Sequence, residues 1–120
     1  MAEIRSFRDL KAWEEAHRLV LEVYRVTKGY PADERYGLVS QMRRAAVSVP
    51  ANIAEGFKRR GIQDKIRFHN VAEGSLEEIK YFFMLSGDLG YLSSSDELMA
   101  QAETTGRLLN GLIKSTERRR

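Results

Sequence analysis

The stretch Leu38 to Gly56, LVSQMRRAAVSVPANIAEG, decides the fold because it carries two regular stripes of residues at helical spacing. One stripe is apolar or small, the other is polar, and each repeats every three or four residues. The apolar stripe is Leu38, Met42, Ala45, Val49, Ile53 and Gly56, and the polar stripe is Gln41, Arg44, Ser48, Asn52 and Glu55. Both stripes stay in phase across Pro50, so the pattern predicts one long helix with a kink near Pro50.

Three further segments have helical periodicity, and no segment has a strand pattern. The predicted helices span about 8–28, 34–59, 63–89 and 95–117. Turn residues such as Gly29 and Pro31 end the first of them. Because the connections are short, neighbouring helices should be antiparallel. The sequence therefore predicts an all-α fold, a single domain over 1–120 built as an up-down-up-down four-helix bundle.

The first helix should pack through residues spaced three and four apart, and this expected core stripe is Leu10, Trp13, His17, Val20, Tyr24 and Thr27. More apolar residues lie outside such stripes than one thin bundle should need. These are Val23, Val26, Val39, Val47, Phe57, Tyr81, Met84 and Leu108. The surplus favours a subunit interface.

Composition excludes several classes of protein. The chain has 120 residues, 42% of them apolar, and no cysteine, so it has no disulfide framework, thiolate metal site or cysteine nucleophile. The longest apolar run, Tyr81–Leu85, is far shorter than the ~20 residues that span a bilayer. Because Met1–Arg5 has no signal-peptide character, we expect a cytoplasmic protein with no membrane partner.

The net charge of +3 results from cancellation between segregated charges. Residues 57–69 carry +4, residues 114–120 carry +3, and residues 73–103 carry −6. Such segregation is typical of a nucleic-acid footprint or of oppositely charged faces that join like subunits. The residues predicted to contact nucleic acid are the cations of the two basic segments: Lys58, Arg59, Arg60, Lys65, Arg67, Lys114, Arg118, Arg119 and Arg120.

Catalytic patterns are weak in this sequence. Bundle di-metal centres use Glu-x-x-His motifs, and only Glu14 to His17 fits; His69 lacks a glutamate three residues before it. We interpret His17 as a core or interface histidine. No nucleophile elbow and no phosphate-binding glycine loop occur. The sequence therefore predicts no enzyme, no metal and no cofactor.

The polar stripe has a structural interpretation instead. Small residues beside it would let a neighbouring helix approach closely and form hydrogen bonds with it. The predicted inter-helix polar network comprises Arg43, Arg44, Ser48, Asn52, Glu55, Ser75 and Glu78. Such a network would fix the register between the second and third helices.

Four blocks resemble a known family in order and spacing: Phe7–Trp13, Tyr36–Leu38, Gln41–Gly56 and Ala72–Glu78. The chain is similar to the bacterial four-helix-bundle proteins encoded in intervening sequences of 23S ribosomal RNA genes. The resemblance spans about residues 7–92. It departs from the family pattern at Gln63-Asp64-Lys65, where a positive charge follows the exit of the second helix.

The resemblance implies a homopentamer of bundles with unresolved biochemical activity. It also implies likeness in architecture to the accessory protein of diversity-generating retroelements, a basic bundle pentamer associated with nucleic acid. Together with the charge pattern, this favours a non-enzymatic oligomer that binds RNA or DNA, with structured RNA the preferred ligand. The alternative is a protein interaction scaffold in which the basic segments meet the acidic 73–103 face of a neighbour.

Overall fold

The structure, a computed structural model, describes residues 3–119 and contains four long helices. These are α1 (Lys11–Thr27), α2 (Leu38–Lys58), α3 (Ile62–Asp88) and α4 (Asp96–Glu117). Each helix packs on its neighbours in sequence, and α1 also packs on α4, which closes a bundle of 47 × 26 × 19 Å. No strand occurs within residues 3–119, so the all-α four-helix prediction is confirmed.

Helices α1 and α2 begin later than the sequence pattern indicates, because a short 3-10 helix precedes each. Ser6 starts the first, Phe7–Asp9: its hydroxyl accepts from the Arg8 amide, and Asp9 accepts from the Ser6 amide. The second, Ala32–Glu34, places the Glu34 carboxylate 3.3 Å from the amide of Leu38, the first residue of α2. The polar residues that precede α1 and α2 therefore form short 3-10 helices instead of the first turns of the long helices.

Helix α2 continues through Pro50 to Lys58. Its apolar stripe is buried from Leu38 to Gly56, as expected. A Cβ at Gly56 would lie 2.8 Å from His69 Nε2, so glycine permits the close approach of α2 and α3 there.

The core face of α1 differs from the expected one. His17 and Tyr24 are exposed, and Trp13 is only half-buried. The buried residues of α1 are Ala12, Ala16, Leu19, Val20, Val23 and Thr27. The predicted stripe was wrong at these aromatic and histidine positions because the small side chains Ala12 and Ala16 allow closer packing between helices.

An aromatic pair closes the end of the bundle opposite the α2–α3 turn. The rings of Tyr30 and Tyr91 have centroids 5.2 Å apart, and the Tyr91 hydroxyl donates to Glu34 Oε2 at 2.8 Å. None of the helices in residues 3–119 is long and apolar enough to cross a membrane.

Candidate nucleic-acid interface

The fold brings the two basic segments to one end of the bundle. The turn between α2 and α3 lies there, and so does the C-terminal turn of α4. Burial lowers the pKa of Lys65, and the charge of Arg119, which lies nearby, lowers it further. We call this surface the basic end, and its residues are Lys58, Arg59, Arg60, Lys65, Arg67, Lys114, Arg118 and Arg119. The ninth predicted cation, Arg120, lies outside the described residues.

Five cations of the basic end have no carboxylate partner. Within residues 3–119, no acidic oxygen lies within 4.0 Å of the charged nitrogens of these five, which are Lys58, Arg60, Lys114, Arg118 and Arg119. All five are exposed. Their charges are therefore available to an external anion such as a phosphate.

Arg59 and Arg67 are held over one aromatic ring. Their guanidinium carbons lie 4.6 and 5.3 Å from the centroid of Phe68. Arg59 also pairs with Glu55 at 3.1 Å, and Arg67 pairs with Asp64 at 3.3 Å. Each guanidinium has five N–H donors, so a side chain fixed in this way keeps donors for a further partner.

Lys65 serves α2 rather than the solvent. Its ammonium group donates to the carbonyl oxygens of Phe57, at 2.7 Å, and Gly56, at 3.4 Å. Both carbonyls belong to the last turn of α2; that of Gly56 also accepts from the Arg59 amide at 3.3 Å, whereas no backbone amide of the described residues bonds that of Phe57. The lysine therefore caps α2, a role that its place in a basic segment did not indicate.

A buried, neutral histidine lies beneath the basic end. His69 is 2% exposed, and neither ring nitrogen has a hydrogen-bond partner within the described residues. Burial, with a smaller contribution from the charge of Lys65, lowers its pKa from 6.5 to about 4. The ring thus adds no charge to the basic end near neutral pH.

A further cation, Arg5, lies beside the basic end; it pairs with Glu3 at 3.3 Å, and its groove also contains the Glu55 carboxylate. Arg5 and Lys58 line a common groove of about 470 Å³, together with Phe7, Ala51 and Ala54. Arg5 is some fifty residues from the basic segment of the α2–α3 turn. The antiparallel topology was the signal that could have placed them together, because it sets the start of α1 beside the end of α2.

Part of the predicted polar network is joined by hydrogen bonds. Ser48 and Ser75 link α2 to α3 through their hydroxyls, 2.8 Å apart. Asn52 donates to the carbonyl oxygen of Ser48 at 2.7 Å and to its hydroxyl at 3.0 Å. All three side chains are half-buried, so the cluster fixes the register where small residues bring the two helices together.

The charged members of that network lie elsewhere. Arg43 reaches α1, where its Nε donates to Thr27 Oγ1 at 3.0 Å. Glu55 pairs with Arg59 within α2. Arg44 and Glu78 line a groove of about 260 Å³ between α2 and α3, and no ion pair joins them within residues 3–119.

The residues weighed for a metal centre are dispersed. His17 is exposed and stacks on Trp13, with ring centroids 5.1 Å apart. The carboxylate of Glu14 pairs with Arg18 at 3.2 Å. Across residues 3–119 no three histidine or acidic side chains form a group that could hold a metal ion.

Most of the chain matches a known protein family. Residues 8–111 match the family described as 23S rRNA-intervening sequence protein. No curated protein matches. The chain is similar to the crystal structure of a protein of unknown function, from the S23 ribosomal protein family of Bacteroides thetaiotaomicron. The two share 19% identity and a TM-score of 0.78 over 86% of this chain and 95% of that one, which shows a common fold.

The family match covers most of the sequence, including the α2–α3 turn of the basic end, and it ends before Lys114, Arg118 and Arg119. The blocks around Phe7–Trp13, Gln41–Gly56 and Ala72–Glu78 all lie wholly or almost wholly within it. The chain therefore belongs to the 23S rRNA-intervening sequence protein family.

Proposed function

We propose that this protein is a non-enzymatic, cytoplasmic homo-oligomer that binds structured RNA through the basic end. The observation that supports this function is the meeting of two distant basic segments at one end of the bundle, with five exposed cations that have no carboxylate partner within residues 3–119. Basic residues that served only to keep the surface hydrated would have no reason to gather at one end of the bundle. The pentamer implied by the family resemblance is the expected assembly.

The unpaired cations would bind phosphates, while Arg59 and Arg67 would present guanidinium groups in fixed positions. Contacts of this kind supply affinity without choosing a sequence. Base stacking on Phe68 would contribute little, because its ring is already covered by these two arginines. The basic end therefore suits the phosphate backbone of a folded or duplex RNA better than unstacked bases.

A second candidate function is a protein scaffold without a nucleic-acid role. It is favoured by the exposed apolar residues Tyr81 and Met84, which lie on α3 beside the exposed carboxylates Glu77 and Glu78. In this function the basic end would meet the acidic segment of a neighbouring subunit. Reversing charges at the basic end would then dissociate the oligomer.

Binding of an RNA hairpin at two or more salt concentrations tests the proposal. The test variant is Arg60→Glu with Arg118→Glu, because both side chains are exposed and neither pairs with a carboxylate among the described residues. Lys28→Glu with Arg107→Glu is the control, since it changes the net charge equally on residues outside the basic end. The test variant should lower the slope of log affinity against log salt by about two, one per phosphate contact.

The control variant should bind like the wild type. Equal losses in both variants would reduce the effect to net charge, and absent or salt-independent binding would overturn the proposal. Dissociation of the oligomer by the test variant, with no RNA bound by the wild type, would establish the scaffold instead.

A further inference from the structure

Only some of the apolar residues that lie outside the expected core stripes are exposed in the folded chain, and the exposed ones are localised. Val23 and Val39 are buried in the core of the monomer. Val47 stays 42% exposed, Tyr81 56% and Met84 54%. These three residues belong to two surfaces of opposite charge, which adjoin within one subunit at the small groove lined by Arg44 and Glu78.

The first surface is a groove of about 500 Å³ along α1 and α2, which we call the arginine groove. Its residues are Tyr24, Arg35, Tyr36, Arg43, Arg44 and Val47. Tyr36 is 89% exposed, and no carboxylate is found among the described residues that line the groove. A groove with apolar walls and three arginines suits a partner that is both apolar and acidic.

The arginine groove is partly organised before any partner arrives. Arg43 donates to Thr27 Oγ1, and its guanidinium carbon lies 4.4 Å from the centroid of the Tyr24 ring. Its Nη2 also donates to the carbonyl oxygen of Tyr24 at 3.4 Å. These contacts hold one cation and one aromatic ring in place, which lowers the entropy lost on binding.

The second surface is the outward side of α3, which we call the acidic face. Its residues are Glu77, Glu78, Tyr81, Met84 and Asp88, all exposed, with Tyr81 three or four positions from both glutamates; Glu77 pairs with Lys80 at 3.5 Å, and the other two carboxylates have no such partner within residues 3–119. The opposite side of α3 faces the core of the bundle, where residues such as Ile79 and Phe83 are buried. A helix that is apolar on both sides is typical of one covered on both sides.

The two surfaces lie at the same height along the bundle. Ser48 of α2 contacts Ser75 of α3, and Met42 contacts Ser86. Since α2 and α3 are antiparallel, α2 residues 42–48 lie level with α3 residues 75–86. The α2 part of the groove therefore stands level with the acidic face, away from the α2–α3 turn.

We propose that the arginine groove of one subunit receives the acidic face of a second copy of this chain. When one subunit is related to the next by rotation about an axis parallel to the long axis of the bundle, each residue keeps its position along that axis. Such a rotation can therefore bring these two surfaces together. Because the surfaces differ, the contact is head-to-tail and repeats from subunit to subunit, closing a ring when the rotation divides the circle. The inference rests on the self-association in the proposed function and names its surfaces.

This arrangement leaves the basic end uncovered. The basic end lies at the α2–α3 turn, whereas both contacting surfaces lie toward the other end of the bundle. The cations of the basic end from neighbouring subunits would then face the same direction on one side of the assembly. A longer RNA could contact several subunits at once, which raises its affinity through effective concentration.

Light scattering on two complementary variants tests the contact. Val47→Glu places a carboxylate in the arginine groove, where it would repel the acidic face. Tyr81→Ser with Met84→Ser removes the apolar part of the acidic face. Each variant alone should have the 13.8 kDa mass of a monomer, and an equal mixture should form a 1:1 dimer and nothing larger.

The dimer is the expected product because only one intact pair of surfaces remains in the mixture. Leu21→Glu is the control, since Leu21 is 56% exposed on α1 and does not line the arginine groove. Arg35→Glu is a second groove variant that lies outside the four helices, and it should also lower the mass. Circular dichroism should show unchanged helix content in every variant.

Four outcomes would overturn the inference: a monomeric wild type, a groove or face variant of wild-type mass, a mixture that stays monomeric, or a control that dissociates. The masses are measured without nucleic acid, and RNA binding is measured on variants of the basic end. Failure of the contact and failure of RNA binding therefore show themselves in different experiments.

Discussion

Gly56 of α2 faces His69 of α3 so closely that a Cβ at position 56 would lie 2.8 Å from the histidine Nε2 and 3.2 Å from the carbonyl oxygen of Lys65. The histidine is buried, and the other close atom belongs to the backbone. Neither can move away cheaply. The closeness of α2 and α3 at the basic end therefore depends on glycine.

Gly56→Ala should lower the free energy of unfolding by about 2 kcal/mol, because an added methyl in a packed contact costs on the order of 1–3 kcal/mol. Thermal or urea unfolding measures this. Gly111→Ala is the matched control, since a Cβ there meets nothing within 4 Å. In the control, the better helix propensity of alanine should raise stability by roughly 0.5–1 kcal/mol. A stabilised Gly56→Ala protein would contradict the close contact.

His69 should make the protein less stable in mild acid. Its pKa is about 4 in the folded protein and 6.5 when exposed, so between these values the unfolded chain binds more protons. The free energy of unfolding is therefore not reduced by His69 above pH 6.5, and it falls as the pH drops toward 4. The expected loss between pH 7 and pH 5 is about 2 kcal/mol.

Urea unfolding at several pH values measures this loss. His69→Leu should abolish most of it, because leucine fills the buried site without titrating. The wild-type dependence persisting in His69→Leu would assign the loss to other groups.

The Ser48–Asn52–Ser75 cluster should contribute more to stability than Glu55. Asn52→Ala removes two hydrogen bonds to Ser48, and its expected cost is about 1 kcal/mol. Glu55→Ala removes an exposed i,i+4 pair with Arg59, whose expected cost is about 0.3–0.5 kcal/mol. Comparable melting temperatures for the two variants would show that the bonds from Asn52 to Ser48 contribute no more to stability than an exposed ion pair.

The pattern of α2 predicted most of the fold, whereas α1 shows where periodicity is ambiguous. Ala12, Ala16, Leu19 and Val23 repeat at the same 3–4 spacing as the expected stripe that includes Trp13. Both series run to Thr27. Side-chain size favoured the aromatic stripe, but close helix packing favoured the small one, and only the neighbouring helices decide between them.

The charge of the basic end could be predicted from sequence, but the roles of its cations could not. Arg60 and Lys65 belong to the same basic segment, yet one is free in solvent and the other caps α2. The i,i+4 spacing of Glu55 and Arg59 does indicate their pair. The contact of Arg59 with Phe68 crosses from α2 to α3, so it depends on the geometry of the turn.

This difference in role separates two variants that remove one charge each. Lys65→Met should lower the free energy of unfolding by about 1–2 kcal/mol, because the carbonyl of Phe57 loses its donor and that of Gly56 loses one of two. Arg60→Met should leave stability within about 0.5 kcal/mol, since its side chain is exposed and has no carboxylate partner in the part of the chain that the structure describes, and it should weaken RNA binding. Urea unfolding and a hairpin-binding titration on both proteins measure the two effects. Equal stability of the two variants would show that Lys65 does not cap α2, because the loss of one charge is common to both.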